Sequence, residues 1–245
     1  MTRPDQVLSM TDVSYRWGRA GFGLAVPQLQ VAAGETVLLL GRSGSGKSTL
    51  LSLICGTVMP DQGRIDVGGA DLCTLSAARR DRHRAEHIGL IFQQFNLLPY
   101  ASVTDNILLP LRFAPKRRGR VSGPLHEAAR LCAALGIDEA LLAARAGSLS
   151  VGQQQRVAAA RALIGFPPLI IADEPTSALD AATQETFLSL LFDQARTHNS
   201  AVMMVSHDAR LAPMFDRVLQ MDDIAQTLPP PPQKMRSATK TEHSA

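Results

Sequence analysis

The apolar positions fall into two regimes. From Val7 to Leu40 they come in short runs: Val7 to Tyr15, Leu24 to Val31 and Thr36 to Leu40 are strand candidates. Gly18-Arg19 and Ala33-Gly34 supply turn chemistry between them. A glycine-rich loop follows at 41–46, then a helix opening near Ser48 and ending at Gly56. Asp61-Gln62-Gly63 predicts a turn, and Arg64 to Val67 one more edge strand. Ile88 to Phe92, Leu169 to Ala172 and Ala201 to Val205 are compact apolar runs that suit strands buried on both faces, as parallel sheets require. Asp180 to Asn199 carries Phe187, Leu190 and Leu191 at helical spacing, which completes a β–α–β pattern.

Residues 95–165 differ. Helical patterns cover Val103 to Phe113, Leu125 to Leu135, Asp138 to Ala144 and Ser150 to Ile164, with no clear strand among them. The pattern predicts an α-helical insertion, about 95–165, in an α/β fold, with the first 225 residues forming one domain. The segment 226–245, with Pro229 to Pro232 and then polar residues, is expected to be an extended or disordered tail.

Composition changes this picture little. The 245 residues are 45% hydrophobic, ample for a core, and 19% charged with both signs interspersed. A net charge of +3 does not demand nucleic acid; it fits work near phosphates or an anionic membrane surface. Cys55, Cys73 and Cys132 have no metal-site spacing, so reduced, buried thiols are expected. The start has no apolar core of a signal peptide, and no run reaches the ~18 apolar residues of a membrane span. Action at a membrane would then need a partner.

Gly41-Arg42-Ser43-Gly44-Ser45-Gly46-Lys47-Ser48, with Thr49 next, matches the phosphate-loop pattern Gly-x-x-x-x-Gly-Lys-Ser. Glycines let the backbone curl so that several N–H groups face one anion, and the following helix presents its positive end. Lys47 should reach the β- and γ-phosphates and the Ser48 hydroxyl should ligate Mg²⁺. Leu169-Ile170-Ile171-Ala172-Asp173-Glu174 is an apolar strand ending in two acids. Strand carboxyl ends form the ligand crevice of a parallel sheet. Asp173 is placed to hold Mg²⁺ through water, and Glu174 to orient and polarise an attacking water.

Leu149-Ser150-Val151-Gly152-Gln153, followed by Gln154-Gln155-Arg156, resembles the signature of the ABC transporter ATPases. It departs at Val151, where that family usually has glycine. The resemblance runs from residue 7 to about 222 and implies a P-loop NTPase with a mixed or parallel RecA-like core sheet, an N-terminal antiparallel β subdomain and an inserted α-helical subdomain. It assigns γ-phosphate contact to Ser150 and Gly152, beside Gln153, and implies head-to-tail dimers in which each signature faces the other subunit's ATP. Gln93, with Gln94 as its rival, resembles the glutamine that senses Mg²⁺ and the transport partner. Ser177-Ala178-Leu179-Asp180 resembles the loop that communicates across the dimer. His207 resembles the histidine at the γ-phosphate, and Trp17, with Tyr15 as the alternative, the aromatic that stacks on adenine.

The implied function is an ATP-hydrolysing subunit, working with Mg²⁺ on the cytoplasmic face of the cell membrane, that energises a membrane permease. The alternative is a non-transport relative acting on nucleic acid. Neither a long heptad run nor a second cassette is present, so direct nucleic-acid binding is not expected. Phe92 to Pro99, Val103 to Ile107 and Leu109 to Leu111 look most like the lipoprotein-release and macrolide-export group.

Two weaker signals read as surface. His83-Arg84-Ala85-Glu86-His87 matches a zinc-peptidase pattern, but Arg79, Arg80, Arg82 and Arg84 oppose Zn²⁺. Lys116-Arg117-Arg118-Gly119-Arg120 reads as a solvated basic loop.

Overall fold

The computed structural model describes residues 6–18, 23–177 and 179–228. Two five-stranded sheets organise it. The first holds β1 (Gln6–Arg16), β2 (Gly23–Ala32), β4 (Gln62–Val67), β5 (Ala70–Asp71) and β10 (Gln226–Leu228), in the order β10-β2-β1-β4-β5, every pair antiparallel. The second holds β3 (Thr36–Leu40), β6 (Ile88–Ile91), β7 (Leu169–Asp173), β8 (Ala201–Ser206) and β9 (Arg217–Gln220), in the order β6-β7-β8-β3-β9, every pair parallel.

The helices are α1 (Lys47–Ile54), α2 (Ala77–His87), α3 (Val103–Phe113), α4 (Pro115–Gly119), α5 (Pro124–Ala134), α6 (Val151–Leu163), α7 (Ala181–Thr197) and α8 (Met221–Ile224). None of these helices is long and apolar enough to cross a membrane.

Side-chain alternation along the parallel strands divides the core in two. Leu38, Leu40, Ile170, Ala172, Val202 and Met204 join α3, α5, α6 and α7 in one cluster. Val37, Leu39, Leu169, Ile171, Met203 and Val205 point the other way and pack with α1 and the antiparallel sheet. Burial on both faces explains why these strands appear in the sequence as unbroken apolar runs.

Several expectations need correction. Arg64 to Val67 is not an edge strand, because two-residue β5 pairs outside it. Asp138 to Ala144 is no α-helix; Asp138 caps a single 3₁₀ turn at Glu139–Leu141, too short to propagate. Helix α2 had no apolar periodicity to announce it, since Glu86 is its one fully buried side chain. Strand β9 alternates half-buried and exposed and exists by pairing with β3. The tail's first residues, Gln226 to Leu228, form a strand on β2, while 229–245 lie outside the described residues.

The thiols differ too: Cys55 and Cys132 are buried, Cys73 is exposed. Burial pushes the Cys55 thiol up to about 12 and Cys132 up to about 11.

The basic run 116–120 is not simply a solvated loop. It forms most of α4, and Arg117 is 1% exposed. Its guanidinium donates to the carbonyls of Ala162 (3.0 Å) and Ile164 (3.0 Å from Nε) at the end of α6, and to Ala85 (3.1 Å) and Ile88 (3.3 Å) where α2 meets β6. Glu86 accepts from the backbone N–H groups of Lys116 (3.0 Å) and Arg117 (2.9 Å). Burial lowers the Arg117 pKa to about 10, so it stays charged at neutral pH, and those carbonyls replace its lost water.

Two outcomes are expected. Arg117→Ala leaves this set of carbonyls unpaired and should lower unfolding free energy by about 3 kcal/mol or more, measured by chemical denaturation; a loss under about 1 kcal/mol would contradict the role given to Arg117. A maleimide should label Cys73 alone in the native chain and all three thiols after denaturation, read by intact mass.

Candidate functional site

Parallel pairing sets the site. The carboxyl ends of β6, β7, β8 and β3 lie side by side, and the chain leaves them at Phe92, Glu174, His207 and Gly41. The loop after β3 requires its glycines. Gly44 and Gly46 have φ of 79° and 99°, the left-handed region that glycine enters without strain. A Cβ at Gly41 would stand 2.8 Å from Ser45 Oγ and 2.8 Å from Met221 Cβ. Gly46 is the N-cap of α1 and offers no side-chain hydrogen bond, so the leading N–H groups of that helix face outward. Lys47 Nζ folds back onto the carbonyls of Gly41 (2.6 Å) and Arg42 (2.9 Å). Ser45 Oγ is buried with no hydrogen-bond partner.

Across from this loop, Asp173 closes β7. Burial, then the neighbouring Glu174 carboxylate, raises its pKa, while Lys47 opposes the shift. Glu174 takes a left-handed φ of 43°, held by its N–H bond to the Val205 carbonyl (3.0 Å). That strained turn aims its carboxylate at His207, whose Nδ1 lies 3.0 Å from Glu174 Oε2. Ser43, Gly44, Gly46, Lys47, Ser48 and Thr49 from the loop, Gln93 from the end of β6, and Asp173, Glu174 and His207 together line one cavity of about 660 Å³. Gln94 is not among its walls.

Beside the cavity, Trp17 Nε1 donates to Thr49 Oγ1 (3.2 Å) while the ring stays 48% exposed. Tyr15 meets it edge-on, with centroids 5.3 Å apart, and packs against the inner core. Of the two aromatics, Trp17 therefore offers the more open face.

This arrangement has known counterparts. The family model described as ABC transporter matches residues 24–177. The chain belongs to the ABC transporter family. It is 43% identical over 204 residues to an uncharacterized ABC transporter ATP-binding protein of Mycobacterium tuberculosis, covering 83% of this chain and 60% of that one. It is 39% identical over 195 residues to a macrolide export ATP-binding/permease protein of Rhodopirellula baltica, covering 80% of this chain and 28% of that one. YbbA of Escherichia coli, an uncharacterized ABC transporter ATP-binding protein, is 40% identical over 79% of this chain and 83% of its own. The chain thus spans only part of the first two relatives. The dimeric cassette MJ0796 bound to ADP and Pi superposes with a TM-score of 0.73 at 34% identity, covering 87% of this chain and 93% of that one.

The remaining expected residues of this ABC cassette lie elsewhere. Ser150 caps α6 in a reciprocal capping box: its Oγ accepts from the Gln153 N–H (3.3 Å), and Gln153 Oε1 accepts from the Ser150 N–H (2.9 Å). Ser150 is exposed, and a Cβ at Gly152 would meet nothing within 4 Å. Val151 is exposed as well, so its departure from glycine strains nothing inside the cassette. Asp180 caps α7 through the Thr183 N–H (3.0 Å). None of Ser150, Gly152, Gln153 or Asp180 lines the phosphate-loop cavity. Ala178, between Ser177 and Asp180, is outside the described residues.

The zinc-like pattern on α2 is spent on internal contacts. His83 Nε2 lies 2.7 Å from the Val67 carbonyl, His87 Nδ1 lies 2.9 Å from the His83 carbonyl, and Glu86 serves α4.

One residue escaped the sequence reading. Arg161, 8% exposed near the end of α6, donates to the carbonyls of Asn96 (2.6 Å) and Phe95 (2.5 Å). Both of those residues have left-handed φ, 49° and 58°. Such non-glycine conformations cost roughly 1–3 kcal/mol each and persist only where surroundings hold them. The guanidinium therefore fixes the loop that carries Gln93 to the helix that Ser150 caps. The available signal was a cation within the alanine-rich run Ala158 to Ala162, on a helix otherwise buried there.

Arg161→Gln should speed amide hydrogen exchange across 92–98 at least about tenfold while leaving 41–49 unchanged. Equal exchange in both segments would show that Arg161 does not hold the loop.

Proposed function

We propose that this cassette binds Mg-ATP and hydrolyses it as one half of a head-to-tail dimer, driving a membrane permease. The observation that carries the reading is the convergence of Lys47, Asp173, Glu174 and His207 on one cavity. The residues fit the nucleotide and metal chemically. The glycine cradle has no room for side chains at 41, Ser45 Oγ awaits a partner, and Asp173 is a carboxylate whose charge burial penalises. A cation beside Asp173 would relieve that penalty.

The loop N–H groups, with Arg42 to Gly46, cradle the phosphates, and Lys47 turns its ammonium from the loop carbonyls toward the β- and γ-phosphates. Ser48, Gln93 and Asp173 would hold Mg²⁺, which would neutralise charge on the phosphate oxygens. Glu174 accepts a hydrogen bond from the attacking water and aligns it with the γ-phosphorus. His207 steadies the Glu174 carboxylate and turns toward the γ-phosphate. Trp17 stacks its open face on adenine, anchored by Thr49.

The placement of the signature residues supports head-to-tail dimerisation. Ser150, Gly152 and Gln153 form an exposed, capped helix start away from the subunit's own phosphate loop, and Asp180 caps another exposed start. Facing a second copy, these groups complete its site. The dimeric MJ0796 cassettes support this reading.

A permease partner fits the groove of about 750 Å³ beside Gln93, through its walls at Leu90, Phe92, Leu109 and Pro110. The chain through Leu228 is then one ABC ATPase domain, expected to end at 225 but extended by the strand Gln226–Leu228, with its helical insertion at about 95–165. It sits peripherally on the cytoplasmic face of the membrane.

Glu174→Gln should keep ATP binding, trap the closed dimer on a sizing column, and reduce turnover at least about 100-fold. Full turnover in that variant would sink the assignment of Glu174. Lys47→Ala should instead lose nucleotide affinity by about tenfold or more, by fluorescent-nucleotide titration. Co-purification of a permease with the tagged chain supports the transport reading. Stimulation of ATPase activity by nucleic acid, with no such partner, supports the non-transport alternative.

A further inference from the structure

The cassette's positive charge is concentrated. Residues 79–120 hold nine basic and three acidic side chains, a net +6 against +3 for the whole chain, so all other residues sum to −3. The fold packs the two basic helices of this segment together. Helix α2 lies against α4, joined by the Glu86 carboxylate and the Lys116 and Arg117 N–H groups. Arg82, Arg112 and Phe113 stand together on the wall of one groove.

The charges on this face are unequally engaged. Arg117 is buried on carbonyls, and Arg84 pairs with Asp81 at 2.8 Å. Arg112 stands 4.0 Å from Asp105, with both side chains more than half exposed. Arg79, Arg82, Lys116 and Arg118 are exposed and have no acidic partner within salt-bridge distance among the described residues. Arg118 makes one bond, to the Val121 carbonyl (3.2 Å). Phe113, 65% exposed, shares its groove wall with Arg82 and Arg112. Hydrated cations on two adjoining helices, with Arg82 and Arg112 beside a protruding aromatic ring, match an anionic bilayer surface: headgroup phosphates meet the cations and the ring enters the interface.

We infer that the α2–α4 face, through Arg79, Arg82, Lys116, Arg118 and Phe113, docks on anionic phospholipid next to the groove proposed for the permease. The inference rests on the permease reading for where the bilayer lies, but not for the lipid contact. The surface holds the cassette against the bilayer and reduces the orientations it must search to meet a membrane-embedded partner.

The test uses the full chain without nucleotide or permease, so it is independent of ATP turnover. Vesicles of phosphatidylcholine, with and without phosphatidylglycerol, are sedimented with the protein at low and at physiological salt. Binding is expected with phosphatidylglycerol only and should weaken with salt. Each basic residue near such a surface contributes about a fivefold factor, so Arg79→Gln/Lys116→Gln/Arg118→Gln should lower partitioning by about two orders of magnitude. Phe113→Ser should weaken binding at both salt concentrations. A control pair on other faces, Arg145→Gln/Arg196→Gln, should change partitioning by less than about twofold. The thermal midpoint of the triple variant should match the parent, since these side chains are exposed.

Equal binding to neutral vesicles, an equal loss in the control pair, or no binding to phosphatidylglycerol at low salt would each overturn the inference. Displacement from the vesicles by stoichiometric duplex DNA, lost in the same triple variant, would reassign the face to nucleic acid.

Discussion

Parallel pairing in the order β6-β7-β8-β3 is the constraint on which the rest depends. A parallel sheet delivers every strand's carboxyl end to the same edge, so residues 41, 93, 174 and 207, far apart in sequence, emerge together. The hydrogen bonds of these strands are sheltered because both faces are covered, by α1 and the antiparallel sheet on one side and by α3, α5, α6 and α7 on the other. At this edge Glu174, Phe95 and Asn96 carry left-handed backbones, held by the Val205 carbonyl in the first case and by the Arg161 guanidinium in the other two.

Two arginines fasten the helical region to that sheet. Arg117 binds the end of α6 to the junction of α2 and β6, and Arg161 binds α6 to the loop beyond β6. Both donate to backbone carbonyls rather than to carboxylates. A carbonyl carries no charge to lose, so the attachment does not depend on the titration of an acidic partner. It places the exposed Ser150 cap and the Gln93 loop on one rigid unit.

Electrostatics divides the molecule similarly. Acidic groups needed at the phosphate loop sit at strand ends, where burial penalises Asp173 and a facing Lys47 partly offsets it. Basic groups gather on α2 and α4, where most remain in solvent.

The sequence by itself determined the strands buried on both faces, the glycine loop, the acid pair and the capped helix at Ser150, because each follows from a local pattern of period, turn chemistry or spacing. It also placed Trp17 ahead of Tyr15 and Gln93 ahead of Gln94, and in the fold these are the open ring and the cavity-lining amide. Tertiary structure alone decided α2 and β9, whose patterns carry almost no apolar signal and which form by docking on neighbours. It also decided that Arg117 leaves a basic run to become core while its neighbours stay in water. A guanidinium is buried only where several carbonyls converge on it, and no window of sequence contains both the end of α6 and the start of β6.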